Sequence, residues 1–439
     1  MGDKLIENGL RQGVSRRGFL KASAAACAVA ATPTMLAGCG SKTVHYPEKD
    51  CLAEFQGAGL PTGKKVFETA SFGPINVRNR VVRSATSHIK MDEFGRPTQR
   101  MLDVYAELGQ GGVGTIITGM EDGGLMVDDT IFRDAYMDAY RKVPQVIHQY
   151  GSAAIQQISH KGSQKEGLSD ESVYSLNRLS DLEIEQLIEQ FLKNIDRSKQ
   201  TGFDGVQLHG AHGYVLSEFL SPAQNRRTDK WGGSTENRFR VIGEIIKRSK
   251  EKHSDFPIFM KINAYDFQEN GMREPEAVKI AKMLEKAGCD GIEVSNGVFR
   301  DGLTGLRTPE PPIEAILELT PLREKSSIEK SIRSVVMRYR MTSYTPLNNY
   351  NVCAASEIKR NVNIPVMVVG GIRSFEDMQT IVGSNLADFV SMSRPFIIEP
   401  GIVNSLKNKT QTESECINCG YCIFSVRSKD VRCYYGEVS

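Results

Sequence analysis

The stretch DLEIEQLIEQFLKNIDRSKQTGFDGVQLHG, residues 181–210, joins a helix to a short strand and decides the class of fold. Apolar residues recur every three or four positions over Asp181–Gln200, which predicts an amphipathic helix with Asp181 as its N-cap. Gly202 marks the predicted end of this helix, and the apolar run Gly205–Gly210 predicts a buried strand. These residues thus predict one helix-to-strand unit of a parallel sheet.

The same alternation extends in both directions along the chain. Further clear helices are predicted over Glu236–Lys252, Pro275–Ala287 and Phe375–Val382. The candidate strands are Val81–Thr86, Gly114–Met120, Ala153–Ser159, Gly205–Gly210, Ile258–Ala264, Gly291–Asn296, Pro365–Gly371 and Phe389–Arg394. Eight such units predict an α/β fold of the (β/α)8 TIM barrel type over residues 64–405, with a doubly wound sheet as the alternative.

The spacing of Gly109, Gly111 and Gly114 matches a dinucleotide-binding fingerprint, which requires a preceding strand and a following helix. Here a predicted helix, Met101–Leu108, comes first and a strand follows. We therefore interpret these glycines as a helix-to-strand turn.

The composition is that of an ordinary globular protein, with 40% hydrophobic and 25% charged residues. It excludes intrinsic disorder and a protein with many membrane spans. The 55 Lys and Arg against 53 Asp and Glu leave no basic excess, so nucleic acid is not an expected partner.

The N-terminus has the features of an export signal. The run SRRGFLK, residues 15–21, resembles a twin-arginine signal, and LAGC, residues 36–39, resembles the lipobox of bacterial lipoproteins. An amphipathic helix with a chance arginine pair is the alternative. The resemblance implies a signal peptide over residues 1–38, lipidation at Cys39 and a polar tether over residues 39–63. The protein would be exported by the twin-arginine route and lie on the outer face of the cytoplasmic membrane or in the periplasm.

Polar side chains cluster where the fourth predicted strand ends. His209 and His212 are followed by Tyr214. Two imidazoles can donate hydrogen bonds to one oxygen, and a tyrosine hydroxyl can donate a proton. Because TIM barrels carry their active sites at the carboxyl ends of the strands, these residues are candidates for catalysis.

The segment from His209 to Arg238 resembles the signature of the old yellow enzyme family of FMN-dependent oxidoreductases. The resemblance extends over about residues 66–400, with matching pieces in the expected order. These pieces are Asn79-Arg80, RSAT at 83–86, GGVG at 111–114, Gln157, SHKG at 159–162, GGI at 370–372 and SRP at 393–395.

The resemblance implies roles for individual residues. The main chain of Ala85 and Thr86 would lie against the flavin, with Gly119 under its ring and Gln157 at its pyrimidine edge. Lys261 stands where the family more often has Arg, and would stabilise negative charge on the reduced ring.

The FMN phosphate would bind after the seventh and eighth strands, where TIM barrels commonly bind phosphate. The residues there are Gly370 and Gly371, then Ser393 and Arg394, with Ser393 standing where many members have Gly. Backbone N–H groups and a guanidinium are suitable phosphate ligands.

The resemblance implies an ene-reductase that transfers hydride from reduced FMN to an activated alkene as its small-molecule substrate. His209 and His212 would hold the activating carbonyl oxygen, and Tyr214 would deliver the proton. Two alternatives stay open: an FMN-dependent demethylase or amine dehydrogenase, and a non-catalytic FMN electron-transfer lipoprotein. Because NAD(P)H is scarce outside the cytoplasmic membrane, we expect a membrane-linked or protein electron donor.

Residues 299–350 form an insertion after the sixth strand that is longer than a connecting loop requires. Its basic residues are Arg323, Lys325, Lys330, Arg333, Arg338 and Arg340. They indicate either a solvated helical face or a lid over the flavin that touches a membrane or an acidic partner.

The tail, residues 406–439, contains Cys416, Cys419, Cys422 and Cys433, whereas Cys39, Cys51, Cys289 and Cys353 are scattered singly. Thiolates at two-residue gaps can hold an iron–sulfur cluster. The dienoyl-CoA reductase type of this family has such a site after its barrel, which implies a [4Fe–4S] cluster here. A structural Zn²⁺, two disulfides or free thiols are the alternatives.

Overall fold

A computed structural model of the 439-residue chain describes residues 51–55, 57, 59–86, 91–92, 95–119, 136–163, 175–298, 305–340, 347–425 and 431–437. The predicted signal peptide, residues 1–38, and Cys39 lie outside the described residues.

The core of the fold is a closed barrel of eight parallel strands, which confirms the predicted TIM barrel. An antiparallel hairpin precedes it, formed by β1 (Ala70–Phe72) and β2 (Ile75–Val77). The barrel strands are β3 (Val81–Arg83), β4 (Thr115–Ile117), β5 (Ala153–Ile158), β6 (Gly205–Gly210), β7 (Ile258–Asn263), β8 (Gly291–Ser295), β9 (Val366–Val369) and β10 (Phe389–Met392). Each strand pairs with the next in chain order, and β10 pairs with β3 to close the ring.

Helices alternate with the barrel strands. Those up to β8 are α1 (Gln99–Gln110), α2 (Met137–Gln149), α3 (Asp181–Gln200), α4 (Val215–Leu220), α5 (Thr235–Lys252) and α6 (Glu274–Ala287). Those after β8 are α7 (Ile313–Leu319), α8 (Ser327–Arg340), α9 (Val352–Asn361), α10 (Phe375–Gly383), α11 (Pro395–Ile398), α12 (Ile402–Lys407) and α13 (Tyr421–Phe424). None of the described helices is long and apolar enough to cross a membrane.

The start of α3 corrects one prediction. The N-cap is Ser180, not Asp181: the Ser180 hydroxyl accepts from the Glu183 N–H, and the Glu183 carboxylate accepts from the Ser180 N–H at 2.7 Å. This capping box satisfies two backbone groups reciprocally, which a single Asp at the next position cannot do.

The hairpin closes the amino-terminal end of the barrel. Phe72 stacks on Phe259 with ring centroids 4.2 Å apart, and its ring lies 4.9 Å from that of Phe389. All three rings are buried. With this end filled by aromatic side chains, the opposite end carries the site.

The glycines of the fingerprint-like spacing form the helix-to-strand turn that we predicted. Gly109 lies in the last turn of α1, Gly111 caps it, and Gly114 precedes β4. A Cβ atom on Gly111 would lie 2.0 Å from the carbonyl oxygen of Pro400, so close backbone packing explains this glycine.

Two cysteines that stand singly in the sequence are paired in the structure. Cys51 and Cys353 form a disulfide with a Cα–Cα distance of 5.3 Å, which joins the N-terminal segment to α9. Leu52, the neighbour of Cys51, packs into the main hydrophobic core. A sequence separation of 302 residues gives no local pattern from which this pairing could be predicted.

Candidate active site

A cavity of about 380 Å³ lies at the carboxyl ends of the barrel strands. Eight of the predicted site residues line it: Ala85, His212, Tyr214, Lys261, Gly370, Gly371, Ser393 and Arg394. Four others are described but are not among its lining residues: Thr86, Gly119, Gln157 and His209. The residues just after the strands therefore converge on one space, as expected for this fold.

The backbone after β6 turns sharply and brings three side chains together. His212 and Gly213 have φ values of 62° and 81°, and α4 begins directly after Tyr214. The ring of His209 lies 5.1 Å from that of His212 and 4.6 Å from that of Tyr214, measured between centroids. A left-handed φ at a non-glycine residue is strained, and such strain is typical of functional sites.

Both histidines are held in the neutral form. Burial lowers the pKa of His212 to about 3, with a further contribution from the Lys261 cation. Burial also lowers the pKa of His209 well below its usual value, and the His212 and Lys261 charges act in the same direction. A neutral imidazole has one N–H donor and one acceptor nitrogen.

Ser295, at the end of β8, is a site residue that no local sequence pattern indicates. Its hydroxyl lies 2.8 Å from Nε2 of His212 and it lines the same cavity. Only the closed order of the barrel, which places β8 two strands from β6, brings these residues together.

Lys261 lines the cavity from β7. The side chain is 3% exposed, its Nζ donates a 2.9 Å hydrogen bond to the Ser84 hydroxyl, and it lies 3.2 Å from a carboxylate oxygen of Glu293. Glu293 is fully buried and was also missed, because it sits inside an otherwise apolar strand. The predicted cation is thus present, with a buried counter-charge beside it.

Another part of the cavity wall has the features of an anion site. Gly370 and Gly371 have φ values of 147° and 73°, and Cβ atoms there would lie 2.6 Å from the Tyr350 ring and 2.2 Å from the Leu347 carbonyl oxygen. The buried Arg394 guanidinium lies beside them in the cavity wall. Only glycine fits at these two positions, which leaves main chain and a guanidinium facing the cavity.

The donor set of the cavity suits FMN. Two cations line it, Lys261 and Arg394. The buried Nδ2 of Asn296 and Oγ of Ser391, which also line it, have no hydrogen-bond partner among the described residues. An anionic ligand with several acceptor oxygens would satisfy these groups.

Residues 65–311, more than half of the chain, match the NADH:flavin oxidoreductase / NADH oxidase family. The chain belongs to this family. An NADH oxidase of Thermoanaerobacter brockii is 33% identical over 380 residues, which cover 81% of this chain and 52% of that protein. The chain thus spans about half the length of this relative.

Solved structures show the same fold. The old yellow enzyme homologue of Zymomonas mobilis superposes on this chain with a TM-score of 0.61 at 22% identity. The superposition covers 81% of this chain and 96% of the homologue. Histamine dehydrogenase from Rhizobium sp. 4-9 gives a TM-score of 0.65 at 21% identity, covering 84% of this chain and 51% of that one. At this level of identity the likeness concerns the barrel alone.

The N-terminus also matches a known signal. Residues 13–33 match the twin-arginine translocation signal sequence, which supports export by that route as the sequence predicted.

The cysteine-rich tail forms part of the cavity wall. The sequence did not indicate this contact. Asn418, Ile423 and Phe424 line the cavity, together with Leu306 and Tyr350 of the insertion.

Three basic residues of the insertion form ion pairs with acidic residues of the same insertion: Lys330 with Glu318, Arg333 with Glu329 and Arg338 with Glu314. These pairs are typical of a solvated helical face.

The four tail cysteines surround one small space. Cys416, Cys419, Cys422 and Cys433 line a pocket of about 40 Å³ that Arg394 also lines. Burial raises the pKa of Cys416 and Cys419, and raises that of Cys422 to about 12. Within the described part of the chain, no group of three or more His, Cys, Asp or Glu residues is arranged to hold a metal ion.

Proposed function

We propose that the chain is an FMN-dependent ene-reductase that acts on small alkenes activated by a carbonyl group. The observation that carries this proposal is that His212 and Tyr214 line the same cavity as Lys261 and Arg394. When bound, FMN would supply the hydride-transfer chemistry. The residues that would hold it are Ser84, Ala85, Lys261, Gly370, Gly371, Ser393 and Arg394.

The histidines would bind and polarise the substrate carbonyl. Their neutral imidazoles would each donate one N–H to its oxygen and stabilise the negative charge that develops there. Nδ1 of His209 is buried with no partner among the described residues, and its ring lies 5.1 Å from that of His212, but His209 is not itself among the residues that line the cavity. Ser295 would orient the His212 ring through its 2.8 Å hydrogen bond.

Tyr214 would act as the proton donor. It lines the cavity at the amino-terminal end of α4, against the His209 ring. A phenol hydroxyl in this position can transfer its proton to the substrate carbon while the carbonyl oxygen is held by the histidines.

Two measurements on the purified chain test this function. We expect a yellow protein that releases FMN on denaturation, and oxidation of the dithionite-reduced flavin on anaerobic mixing with 2-cyclohexenone. Finding only FAD, or no flavin uptake, would overturn the proposal. Flavin reduction by a methylated amine would instead identify a demethylase or amine dehydrogenase. Reduction by a partner protein without turnover of any small molecule would identify an electron-transfer lipoprotein.

We further propose that the exported protein is anchored through lipid on Cys39 and receives electrons from a membrane or protein donor. The lipobox-like run at residues 36–39 and the twin-arginine match support this proposal. Cys39→Ala should release the protein from the membrane fraction, whereas replacement of Arg16 and Arg17 by Lys should retain it in the cytoplasm. Unchanged membrane association of the Cys39 variant would exclude lipidation there.

A [4Fe–4S] cluster on Cys416, Cys419, Cys422 and Cys433 is a further proposal. The four cysteines have a spacing that can hold an iron–sulfur cluster and line one pocket, which adjoins the FMN cavity through Arg394. Within the described residues their side chains are not arranged as a metal site, so the proposal rests on this spacing and shared pocket. Anaerobic purification followed by iron, zinc and acid-labile sulfide analysis tests it. Iron and sulfide that disappear on replacing the four cysteines by Ser support the cluster; zinc alone, or neither metal, contradicts it.

A further inference from the structure

A row of hydrogen-bonded polar side chains crosses the interior of the barrel beneath the cavity. The Gln157 amide N–H donates to the Gln207 amide oxygen at 2.8 Å, and the Gln207 N–H donates to Glu293 at 2.8 Å. Lys261 then links Glu293, at 3.2 Å, to the Ser84 hydroxyl, at 2.9 Å. The row joins strands on opposite sides of the barrel, and Gln207, Lys261 and Glu293 are each buried.

The carboxylate of Glu293 sets the direction of this row. An ionised carboxylate can only accept hydrogen bonds, so Gln207 must present its N–H to Glu293 and its oxygen to Gln157. Gln157 must then present its own N–H to Gln207. The amide oxygen of Gln157 is thereby left as an acceptor. Without the carboxylate, both amides could reverse.

The same carboxylate acts on Lys261. The residues are Cα partners on the adjacent strands β7 and β8, so the strand register itself places the amine beside the acid. The other carboxylate oxygen, Oε1, has no partner among the described residues, and Glu293 is fully buried. A buried ion pair of this kind is weak support for stability. The presence of this ion pair is better explained by the effect of Glu293 on Gln207 and Lys261.

We propose that Glu293 is a positioning residue for two groups that the FMN ring would meet: Lys261, as an oriented cation of moderated charge, and Gln157, as an acceptor fixed through Gln207. Lys261 lines the cavity, whereas Gln157 is buried, is not among the lining residues, and is placed at the pyrimidine edge of the ring by the family resemblance. The inference rests on the proposed FMN function. Glu293 itself does not line the cavity. Its influence would be seen in how the chain binds the oxidised and the reduced cofactor.

Glu293→Gln tests both effects. Gln has the same size but can donate as well as accept, so the amide row loses its fixed direction and Lys261 loses its counter-charge. We expect the affinity for oxidised FMN to fall at least fivefold. At pH 6, the ratio of affinities for reduced over oxidised FMN should rise about tenfold, equal to about 30 mV for a two-electron couple. Flavin fluorescence titration and spectroelectrochemistry measure the two quantities.

Two further variants separate the effect of Glu293 on the amide row from its effect on Lys261. Gln207→Met breaks the row of amides but leaves the Lys261–Glu293 pair. It should therefore lower the affinity for oxidised FMN without changing the ratio of affinities for reduced over oxidised FMN. The double variant Gln207→Glu with Glu293→Gln places a carboxylate at position 207, to which the Gln157 N–H must again donate. It should therefore restore the affinity for oxidised FMN to within about twofold of the unmodified chain. A merely structural role for Glu293 would not be rescued in this way. These two variants also decide the question if Glu293→Gln alone does not fold.

Asp266→Asn is the matched control. Asp266 is also a buried carboxylate, but it accepts from the Ser221 hydroxyl at 2.7 Å and from the Gln268 N–H at 3.1 Å, away from the row. Its variant should leave the affinity ratio unchanged.

Wild-type values in Glu293→Gln would overturn the inference about Glu293 alone. If the unmodified chain takes up no FMN, the FMN assignment and this inference both fail. If it takes up FMN but does not reduce enones, only the proposed reaction fails, and the affinity measurements stay decisive for Glu293.

Discussion

The Arg394 guanidinium lines the cavity and donates a 3.0 Å hydrogen bond to the main-chain carbonyl of Asn418, which lies between Cys416 and Cys419, the first two cysteines of the tail. The cavity and the tail are therefore joined by one side chain. Arg373 supports the same segment from outside the cavity, because it donates to the Cys416 carbonyl at 2.6 Å. This pair of arginines allows the two roles of Arg394 to be separated.

Arg394→Met should weaken FMN binding and also loosen the tail. A hydrogen bond to a charged group contributes about 1.5–3 kcal/mol, so we expect roughly a 10- to 100-fold loss of FMN affinity. Arg373→Met is the control: it should expose the tail to limited proteolysis while FMN affinity stays within about threefold. Equal FMN affinities in the two variants would remove Arg394 from the cofactor site.

Tyr214→Phe should leave FMN binding and flavin reduction unchanged. Loss of the hydroxyl removes the proposed proton donor, so the reaction of the reduced enzyme with an enone should slow by about 10²–10⁴-fold, the range usual for a general acid. Stopped-flow measurement of the two half-reactions separates these steps. Tyr434→Phe, which alters a tyrosine outside the cavity, should leave both rates unchanged. An unchanged oxidation rate in the Tyr214 variant would exclude it from proton transfer.

The parts of the fold that follow from local patterns could be predicted from the sequence. The strand β6 and the helix α3 have the predicted bounds, because apolar periodicity and flanking glycines are local signals. Strands β3, β9 and β10 end before their predicted ends, since the residues beyond them turn outward and line the cavity. Hydrophobic runs do not distinguish the last strand residue from the first loop residue.

Other site residues could not be predicted from the sequence, for a different reason. Ser295 and Glu293 lie in the largely apolar strand β8, whereas their partners are His212, which follows β6, and Lys261, which lies in β7. Phe424 and Asn418 come from a tail whose sequence indicated a metal site, disulfides or free thiols but no contact with the cavity, yet both line the cavity. Each of these roles depends on long-range packing, which one sequence without known contacts does not specify.

The buried histidines predict a pH dependence of stability. The unfolded chain binds a proton at His212 below about pH 6.5, whereas the folded chain binds it only near pH 3. Between these values the unfolded state holds more protons, so stability rises with pH and is lost as the pH falls from 6.5 towards 3. His212→Asn should flatten this part of the profile, as measured by urea unfolding at several pH values. A profile as steep as that of the unmodified chain would show that His212 does not titrate differently in the two states.

The disulfide between Cys51 and Cys353 should be a major source of stability in the exported protein. It closes a loop of about 300 residues and ties the segment around Leu52 to α9. Loss of a native disulfide typically costs about 2–5 kcal/mol, mainly because the unfolded chain gains conformational freedom. Replacing both cysteines by Ser should therefore lower the free energy of unfolding by about this amount, as measured with denaturant under oxidising conditions.

Reduction provides the matched comparison for this double variant. Dithiothreitol should lower the stability of the unmodified chain towards that of the double variant, and should leave the stability of the double variant itself unchanged. Disulfides persist in oxidising compartments and are rare in the cytoplasm. Alkylation followed by mass spectrometry should accordingly find Cys51 and Cys353 as free thiols in protein retained in the cytoplasm, and bonded in exported protein. Equal stability of the oxidised chain and the double variant would show that the bond contributes nothing to the folded barrel.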